Sequence, residues 1–301
     1  MQAAEVVAAS ATGKVLSPLT IEKATASDFE RVYPLLMEFN VPGLAREDWR
    51  RLFTKNWKSP EDFCGYSLSV GGQVQGFLGL LFSSRTINGK SEKFCNMTSW
   101  IVRDEYRSQS LRLLLEVLKL KDYTFTNFTP SPTVWRILEQ LRFTKLNTSE
   151  RILFPAINGS AGRSKYRCSF DLEIISDELS EADRIIFDDH KSLPCRHLLI
   201  SSGNDYCYLV LKNRAYRRLP FARAHYVSNR QLFKEAAGSV RNQICWKLKV
   251  AGLIVDDRYL NGTSLSSSRS YPQQCPAFYK SSTIDDNDID TLYSEMILLH
   301  S

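Results

Sequence analysis

The chain has 301 residues, of which 43% are hydrophobic and 24% charged, and its formal net charge at pH 7 is +6. This composition is ordinary for a globular protein and excludes wholesale disorder, a collagen repeat and a coiled-coil rod. No run approaches 18 apolar residues, so we expect no membrane span, and seven scattered cysteines without a leader-like N-terminus predict reduced thiols in a cytoplasm.

The first half of the chain predicts a mixed sheet with covering helices. Residues 1–18 are rich in Ala, Ser and Thr and aperiodic, so we expect a flexible tail there. Pro34 is expected to kink or divide the first helix. The leucine-rich helix after the three-strand meander is expected to be buried and to form a right-handed βαβ crossover in an otherwise antiparallel sheet. The predicted elements are strand 19–23, helices 29–39 and 46–55, strands 64–70, 73–82 and 93–102, helix 111–120, strand 123–128, helix 131–141 and strand 145–154.

The second half repeats this order of elements without a repeat of residues. Residues 155–165 have the composition of a linker. The final helix, capped by Asp285 or Asp286, docks on the body or binds a partner. The predicted elements are strand 168–174, a short helix capped by Ser180, strands 196–201, 206–213 and 221–227, helix 231–249, strand 253–259, a Ser-rich loop over 262–273 and a helix over 285–299.

The fold class that we predict is α+β, with two domains in tandem. The predicted domains are a tail at 1–18, a first domain at 19–155, a second domain at 166–262 and a loop with a docking helix at 263–301. The four histidines show no zinc-site spacing with the cysteines, so no metal is expected.

The junction after the third strand of the first meander carries the clearest chemical signal. A strand ends at Val102, a short polar loop follows, and a leucine-rich helix begins near Ser110. A helix N-terminus offers free N–H groups and the positive end of the dipole, which suits a pyrophosphate. Arg103, Arg107 and Arg112 add full charges around this anion site.

These residues resemble the GCN5-related N-acetyltransferases (GNATs), whose common run is Val-x-Pro-x-Tyr-Arg-Gly-x-Gly-x-Gly before an apolar helix. Four residues of the junction stand in register with that run: Val102, Tyr106, Arg107 and Gln109. The family's opening Arg-x-Ala-x-x-x-Asp resembles Lys23-Ala24 through Asp28, and its Asn-x-x-Ala…Gly-Phe segment resembles Ser131, Val134 and Arg142-Phe143. The resemblance covers about residues 19–154.

The resemblance implies a tandem GNAT-fold acyltransferase that takes acetyl-CoA or another acyl-CoA as its acyl donor. It implies that pantetheine runs along Ile101 and Val102, splayed from the strand of residues 123–128, with Ser131 near the pantetheine arm. The cofactor-binding residues that it implies are Ile101, Val102, Arg107, Ser108, Gln109, Ser110, Leu111, Arg112 and Ser131.

The chain departs from the family at the residues that approach the cofactor. The three loop glycines of the family fall at Ser108, Ser110 and Arg112, where Arg112 either supplies a guanidinium fork or occludes the site. The family's frequent catalytic tyrosine corresponds to Leu138, so no general acid carries over. We name no catalytic residue. Candidates at the ends of the splayed strands are Cys95, Ser99, Asn127 and Thr129.

Two functions therefore stay open. The first is acyl transfer to an amine or hydroxyl of a small acceptor, with a sugar as one candidate; the second is a binding or scaffold protein on a GNAT fold that has lost CoA. The basic run 212–223 is either a site for an anionic partner, such as a sugar nucleotide, or a solvated hairpin. With few aromatic residues interleaved, it does not favour nucleic acid. His225 and Tyr226 either line an acceptor cleft or are structural. The oligomeric state is open.

Overall fold

The computed structural model describes residues 18–54, 56–146, 149–156, 165–216, 218–272 and 275–299. The predicted tail, apart from Pro18, and most of the predicted linker at 155–165 lie outside these residues. The chain forms two compact units, one up to Asn127 and one from Phe128 to Leu299. No helix that the structure describes has both the length and the apolar character needed to cross a membrane.

The described residues of the first unit form five strands and three α-helices, with short 3-10 turns between some of them. Its strands are β1 (Leu19–Ala24), β2 (Gly65–Val70), β3 (Gln73–Ile87), β4 (Lys90–Val102) and β5 (Tyr123–Asn127). Its helices are α1 (Phe29–Leu36), α2 (Arg46–Arg51) and α3 (Ser110–Val117).

The second unit contains the remaining elements. Its strands are β6 (Thr144–Lys145), β7 (Ser149–Leu153), β8 (Arg167–Ser169), β9 (Arg196–Ser202), β10 (Asp205–Tyr216), β11 (Leu219–Val227), β12 (Leu253–Asp256), β13 (Ser268–Pro272) and β14 (Phe278–Lys280). Its helices are α4 (Pro132–Gln140), α5 (Leu172–Glu178), α6 (Glu181–His190), α7 (Arg230–Leu248) and α8 (Glu295–Leu298).

In the first unit the strands lie in the order β1-β2-β3-β4-β5. The first four pair antiparallel, and β4 and β5 pair in parallel across the α3 connection. The two hairpin turns have positive φ at Gly71-Gly72 and at Asn88-Gly89, as type I′ turns require. The predicted meander and βαβ unit are therefore confirmed.

Helix α3 is amphipathic, which corrects the prediction of a helix buried on all sides. Its buried face consists of Leu113, Leu114 and Val117. Leu111 and Leu115 lie on the opposite face and are 43% and 45% exposed. Leucines on nearly every side of a helix do not by themselves bury it, because a single sheet covers only one face of the helix.

The second unit holds a seven-stranded sheet in the order β13-β7-β12-β11-β10-β9-β8. Among the described residues of this sheet, β11 and β12 pair in parallel, across the long helix α7, and the other pairs are antiparallel. Strand β7 pairs antiparallel with β12 and β13 and so belongs to the second sheet. The prediction that a strand at 145–154 closes the first half is therefore wrong. The prediction of an α+β chain with two mixed sheets is confirmed, whereas the domain limits at 155 and 166 stay predictions.

Two further elements differ from their predictions. The strand predicted over 168–174 ends at Ser169, because Asp171 caps α5 by accepting the backbone N–H groups of Glu173 and Ile174. The C-terminal helix predicted over 285–299 is wrong, since only Glu295–Leu298 is α-helical. The chain before it is held by side chains of the second unit, among them Arg258, which donates to the backbone carbonyls of Asp286 and Ile289.

Candidate functional site

Strands β4 and β5 separate in the middle of the first sheet. Their parallel pairing covers four residue pairs, from Lys93 and Tyr123 to Asn96 and Thr126. Beyond Asn96, β4 continues to Val102 and stays paired with β3 on its other edge. The edge of β4 from residue 97 to 102 therefore has no strand partner among the described residues on the β5 side. We call this gap in strand pairing the opening between the two strands.

A β-bulge lies inside this open stretch. Residues Ile101 and Thr98 of β4 are three apart, but their partners Phe77 and Gly79 on β3 are only two apart. The extra residue falls beside Ser99, whose φ is +50°. A bulge bends its strand, and β5 itself ends at Asn127, one residue beyond its last pair with β4. The sequence signal that could have revealed it is the glycine in β3 opposite Thr98.

The open edge of β4 leads directly into the start of α3, where arginine side chains lie. Residues Asp104–Gln109 form a 3-10 turn, and α3 begins at Ser110. Arg107 pairs with Asp104, and both side chains are more than 70% exposed. Arg112 donates from Nη1 to Oε1 of Gln109 at 3.2 Å. Exposed pairs of this kind contribute little stability, so both guanidinium groups can exchange their partner for a phosphate.

Arg103 has a different role from the other two arginines. Its Nε donates to Oε1 of Glu38 at 2.8 Å, and its Nη1 donates to Oε1 of Gln75 at 3.1 Å. These contacts tie the end of β4 to the segment after α1 and to β3. We therefore assign Arg103 to holding the loop rather than to binding an anion.

The fit to a pyrophosphate rests on side chains more than on backbone amides. The N–H groups of Tyr106 and Ser110 already donate to the carbonyls of Arg103 and Arg107 in the 3-10 turn. A loop with glycines would let the backbone approach the phosphates instead. In this chain the exposed side chains of Ser108 and Arg107, with Arg112, supply the donors, so the residues present fit an anionic phosphate group.

The other predicted cofactor residues lie where the element order requires. Ile101 and Val102 are on the open edge of β4, and Gln109 and Leu111 flank the start of α3. Ser131 lies in the second unit, where it caps α4 by accepting the N–H of Val134 at 3.4 Å. Whether these residues bind a cofactor remains a prediction.

The side chains at the separating strands are uncharged. No Asp, Glu, His, Lys or Arg occurs in residues 95–102 or in β5. The hydroxyl of Thr126 donates to Oδ1 of Asn96 at 3.0 Å, and both residues are buried. Cys95 is fully buried and burial raises the pKa of its thiol, which disfavours the thiolate. Cys95 is therefore a packing residue, and the strands supply no evident acid or base.

Three other residues weighed for chemistry have structural surroundings. Leu138 is fully buried in α4. Ser99 Oγ lies 3.3 Å from Oγ1 of Thr98, beside the bulge. In the second unit, the hydroxyl of Thr129 donates to Oε1 of the buried Glu295 at 2.6 Å.

The second sheet has a corresponding separation of strands, but its own chain fills it. Strands β11 and β12 pair only at Ala222 with Leu253 and at Arg223 with Ile254. Beyond these pairs, Nδ1 of His225 lies 2.8 Å from Oγ1 of Thr291 in the C-terminal segment. The cavity left beside these residues holds about 20 Å³, which is room for one water molecule at most.

His225 and Tyr226 are structural residues, as one of the two readings of the sequence expects. His225 is fully buried, which lowers the pKa of its ring well below the ordinary value, and the charge of Arg223 lowers it further. Tyr226 donates from its hydroxyl to Oδ1 of Asp183 at 2.8 Å, and Tyr206 donates to the other carboxylate oxygen at 2.7 Å. Both side chains thus make hydrogen bonds within the second unit.

Most of the described basic side chains in the run 212–223 make contacts within the protein. Lys212 is buried and donates to backbone carbonyls near the C-terminus. Arg223 and Arg214 both pair with Glu150, at 2.8 and 3.5 Å. Arg218 is exposed and the side chain of Arg214 is 42% exposed, so binding of an anionic partner at this run stays a prediction.

Comparisons with known proteins agree on the fold. No family model and no curated protein matches the chain. A GCN5-related N-acetyltransferase from Anabaena variabilis matches 87% of this chain and 72% of its own, at 11% identity and a TM-score of 0.58. A GCN5-related N-acetyltransferase from Kribbella flavida matches 87% of this chain and 71% of its own, at 13% identity and a TM-score of 0.56.

A third similar structure is the glucosamine N-acetyltransferase region of a fungal multi-domain β-N-acetylglucosaminidase. It matches 88% of this chain and 38% of its own, at 9% identity and a TM-score of 0.56. All three identities are far below the level at which function can be inferred from similarity. Together with the βαβ order and the separated strands, they show that the chain has the fold of the GCN5-related N-acetyltransferases.

Proposed function

We propose that the chain is an acyl-CoA-dependent acyltransferase that acts on an amine or hydroxyl of a small acceptor. The observation that carries the proposal is the open edge of β4 between Asn96 and Val102, which leads into the arginine-bearing start of α3. The pyrophosphate would contact Arg107 and Arg112, with Ser108, Gln109, Ser110 and Leu111 around it. The pantetheine arm would pair with the free backbone groups at Ile101 and Val102.

The chemistry that this site supports is positioning. In acyl transfer, the acceptor nitrogen or oxygen forms a bond to the acyl carbon, and the carbon–sulfur bond breaks with its electron pair going to sulfur. The proton that the acceptor loses balances the one that the released thiolate takes up, so free CoA leaves as the thiol. Because the strands around the opening carry no ionised side chain, they would contribute by orienting the two reactants and excluding water, a contribution that can amount to several kcal/mol. The similar fungal glucosamine N-acetyltransferase region supports an amino sugar as one acceptor to screen.

A thermal-shift titration with acetyl-CoA, longer acyl-CoAs and free CoA tests the proposal. A ligand that binds only the folded chain adds about 2.7 kcal/mol of stability at a hundredfold excess over Kd. A saturable shift supports the proposal, and the acyl chain with the largest shift identifies the donor. Absence of any shift at millimolar ligand would favour the alternative, a GNAT-fold binding protein without CoA, which the serines and Arg112 in the loop also permit.

Two arginine variants test where the ligand binds. Arg107→Ala and Arg112→Ala should each weaken CoA binding about tenfold in calorimetry, because each removes a charge-assisted contact to phosphate. Arg31→Ala is a matched control, since Arg31 is also exposed and also pairs with an aspartate three residues before it, at 2.8 Å. Unchanged affinity in both loop variants would place the ligand elsewhere.

A further inference from the structure

Helix α7 presents a large aromatic side chain to solvent near its C-terminal end. Trp246 is 82% exposed, more than any other large hydrophobic residue that the structure describes. A single exposed hydrophobic residue needs no explanation. This one, however, borders a cavity of about 470 Å³ between the end of α7, the edge strand β8 and the start of α5. That volume lies within the range of small-ligand sites, roughly 300–1,000 Å³.

The polar groups around this Trp246 cavity have unused hydrogen-bonding capacity. Asp171 uses Oδ1 to cap α5, and its Oδ2 has no hydrogen-bond partner among the described residues. Gln243 and Lys247 also line the cavity, and their side chains contact no polar group in the described part of the chain. Ser169 accepts the N–H of Asp171 through Oγ at 3.2 Å, which leaves its hydroxyl proton to donate.

The arrangement of these groups follows from the helix. Gln243, Trp246 and Lys247 are spaced three and four residues apart, so they share one face of α7. That face looks across the cavity to Asp171, and Phe170 forms part of the wall while packing against the core of the second unit. The site thus combines one aromatic plane, one partly buried apolar wall, and donors and acceptors on both sides.

The charges of the residues that line the cavity indicate which class of ligand it can bind. One carboxylate, on Asp171, and one ammonium, on Lys247, face the cavity, so its net charge favours neither an anion nor a cation. Asp171, Gln243 and Lys247 are exposed to water, and an apolar ligand would displace that water without replacing its hydrogen bonds, which costs binding energy. The ligand that matches is neutral, has an apolar face for the indole, and carries several hydroxyl groups at its rim, each able to donate and accept.

We propose that the Trp246 cavity binds a neutral saccharide. One sugar ring stacks on the indole of Trp246, and its hydroxyls bond to Asp171 and Gln243. The proposal uses residues of the second unit alone and stands independently of the acyl-CoA site.

Calorimetric titration of the full chain with cellotriose, maltotriose and the N-acetylglucosamine trimer tests the proposal. At least one of these should bind saturably, and Trp246→Ala should weaken its binding about tenfold or more. Asp171→Asn should weaken it severalfold while keeping the cap of α5, since asparagine caps a helix as well as aspartate does. Trp246→Tyr, which keeps an aromatic plane, should recover part of the affinity.

The controls separate binding at this cavity from other effects. Ile185→Ala changes another exposed hydrophobic residue of the same unit, 54% exposed on α6, and should bind as the original chain does. Saturation-transfer NMR on the bound sugar should show contact with the protein that disappears in Trp246→Ala. The proposal is overturned if none of the three sugars binds at millimolar concentration, if Trp246→Ala binds them unchanged, or if adenosine or a peptide binds at Trp246 and the sugars do not.

Discussion

Replacing Lys212 with methionine should loosen the C-terminal segment of the second unit. The lysine side chain is 6% exposed, and its Nζ donates to the backbone carbonyls of Met296 at 2.9 Å, of Ile297 at 2.8 Å, and of Leu299. Methionine keeps the length and the apolar stem of the side chain but removes all three donors. The carbonyls at the end of α8 then lose their charged partner.

The magnitude follows from the hydrogen bonds that are lost. A hydrogen bond with a charged group contributes about 1.5–3 kcal/mol net, a figure that already includes the exchange with water. The three bonds share one ammonium group and are not additive, so the free energy of local unfolding should fall by about 2–4 kcal/mol, less than their sum. The loss should be local, because the contacts that disappear all belong to residues 296–299.

Native-state hydrogen exchange over residues 289–299 measures this effect directly. In Lys212→Met, the amides of this segment should exchange more than tenfold faster, since each 1.4 kcal/mol of lost opening free energy gives a factor of ten. Lys191→Met removes an exposed lysine of the same unit, paired only with Asp188 on the surface, and should change nothing. Equal exchange in the two variants would refute the anchoring role of Lys212.

Three further predictions concern buried groups. Burial lowers the pKa of His197 to about 4 and that of His225 well below its ordinary value. Both rings take up protons on unfolding below about pH 6.5, so the free energy of unfolding should be full above that pH and fall by about 1.4 kcal/mol per pH unit and ring below it. Equal urea midpoints at pH 7 and pH 5 would be the contrary result. Gly65→Ala places a Cβ 2.6 Å from a backbone oxygen of β3 and should lower the free energy of unfolding by about 1–3 kcal/mol; an unchanged thermal midpoint would contradict the crowding. Cys95 should resist a thiol reagent until the chain unfolds, and rapid labelling of the native protein would show that it is accessible.

Local patterns made most of the first unit predictable from its sequence. The pairs Gly71-Gly72 and Asn88-Gly89 supply the positive φ of two-residue turns, and these turns fix the register of the meander. Ser131 caps α4 as its position before a proline predicts. Each of these signals depends on neighbours in the chain, which is why it can be read without knowing the fold.

The features that sequence reasoning missed depend on distant partners. Nothing in residues 149–153 indicates that β7 joins the second sheet, because alternation of side chains specifies a strand and not its neighbour. The bulge at Ser99 arises from a register offset with β3. The apolar spacing from Ile289 to Leu299 resembles that of a helix. Ile289, Leu292 and Tyr293 are indeed buried, but they lie in irregular chain that Lys212 and His225 hold in place.

The two separations of parallel strands indicate which half would carry acyl transfer. In the second sheet, Thr291 contacts His225 just beyond the last pair of β11 and β12, and the remaining cavity holds about 20 Å³. In the first sheet, the edge of β4 beyond Asn96 has no strand on the β5 side among the described residues, and the helix start that follows carries guanidinium groups held by exposed contacts. A pyrophosphate needs donors that can be released at low cost, and Arg107 and Arg112 meet that condition. If the proposed function is correct, arginine and serine side chains recognise the phosphates in place of glycine amides, and loss of CoA binding in the two arginine variants would show this.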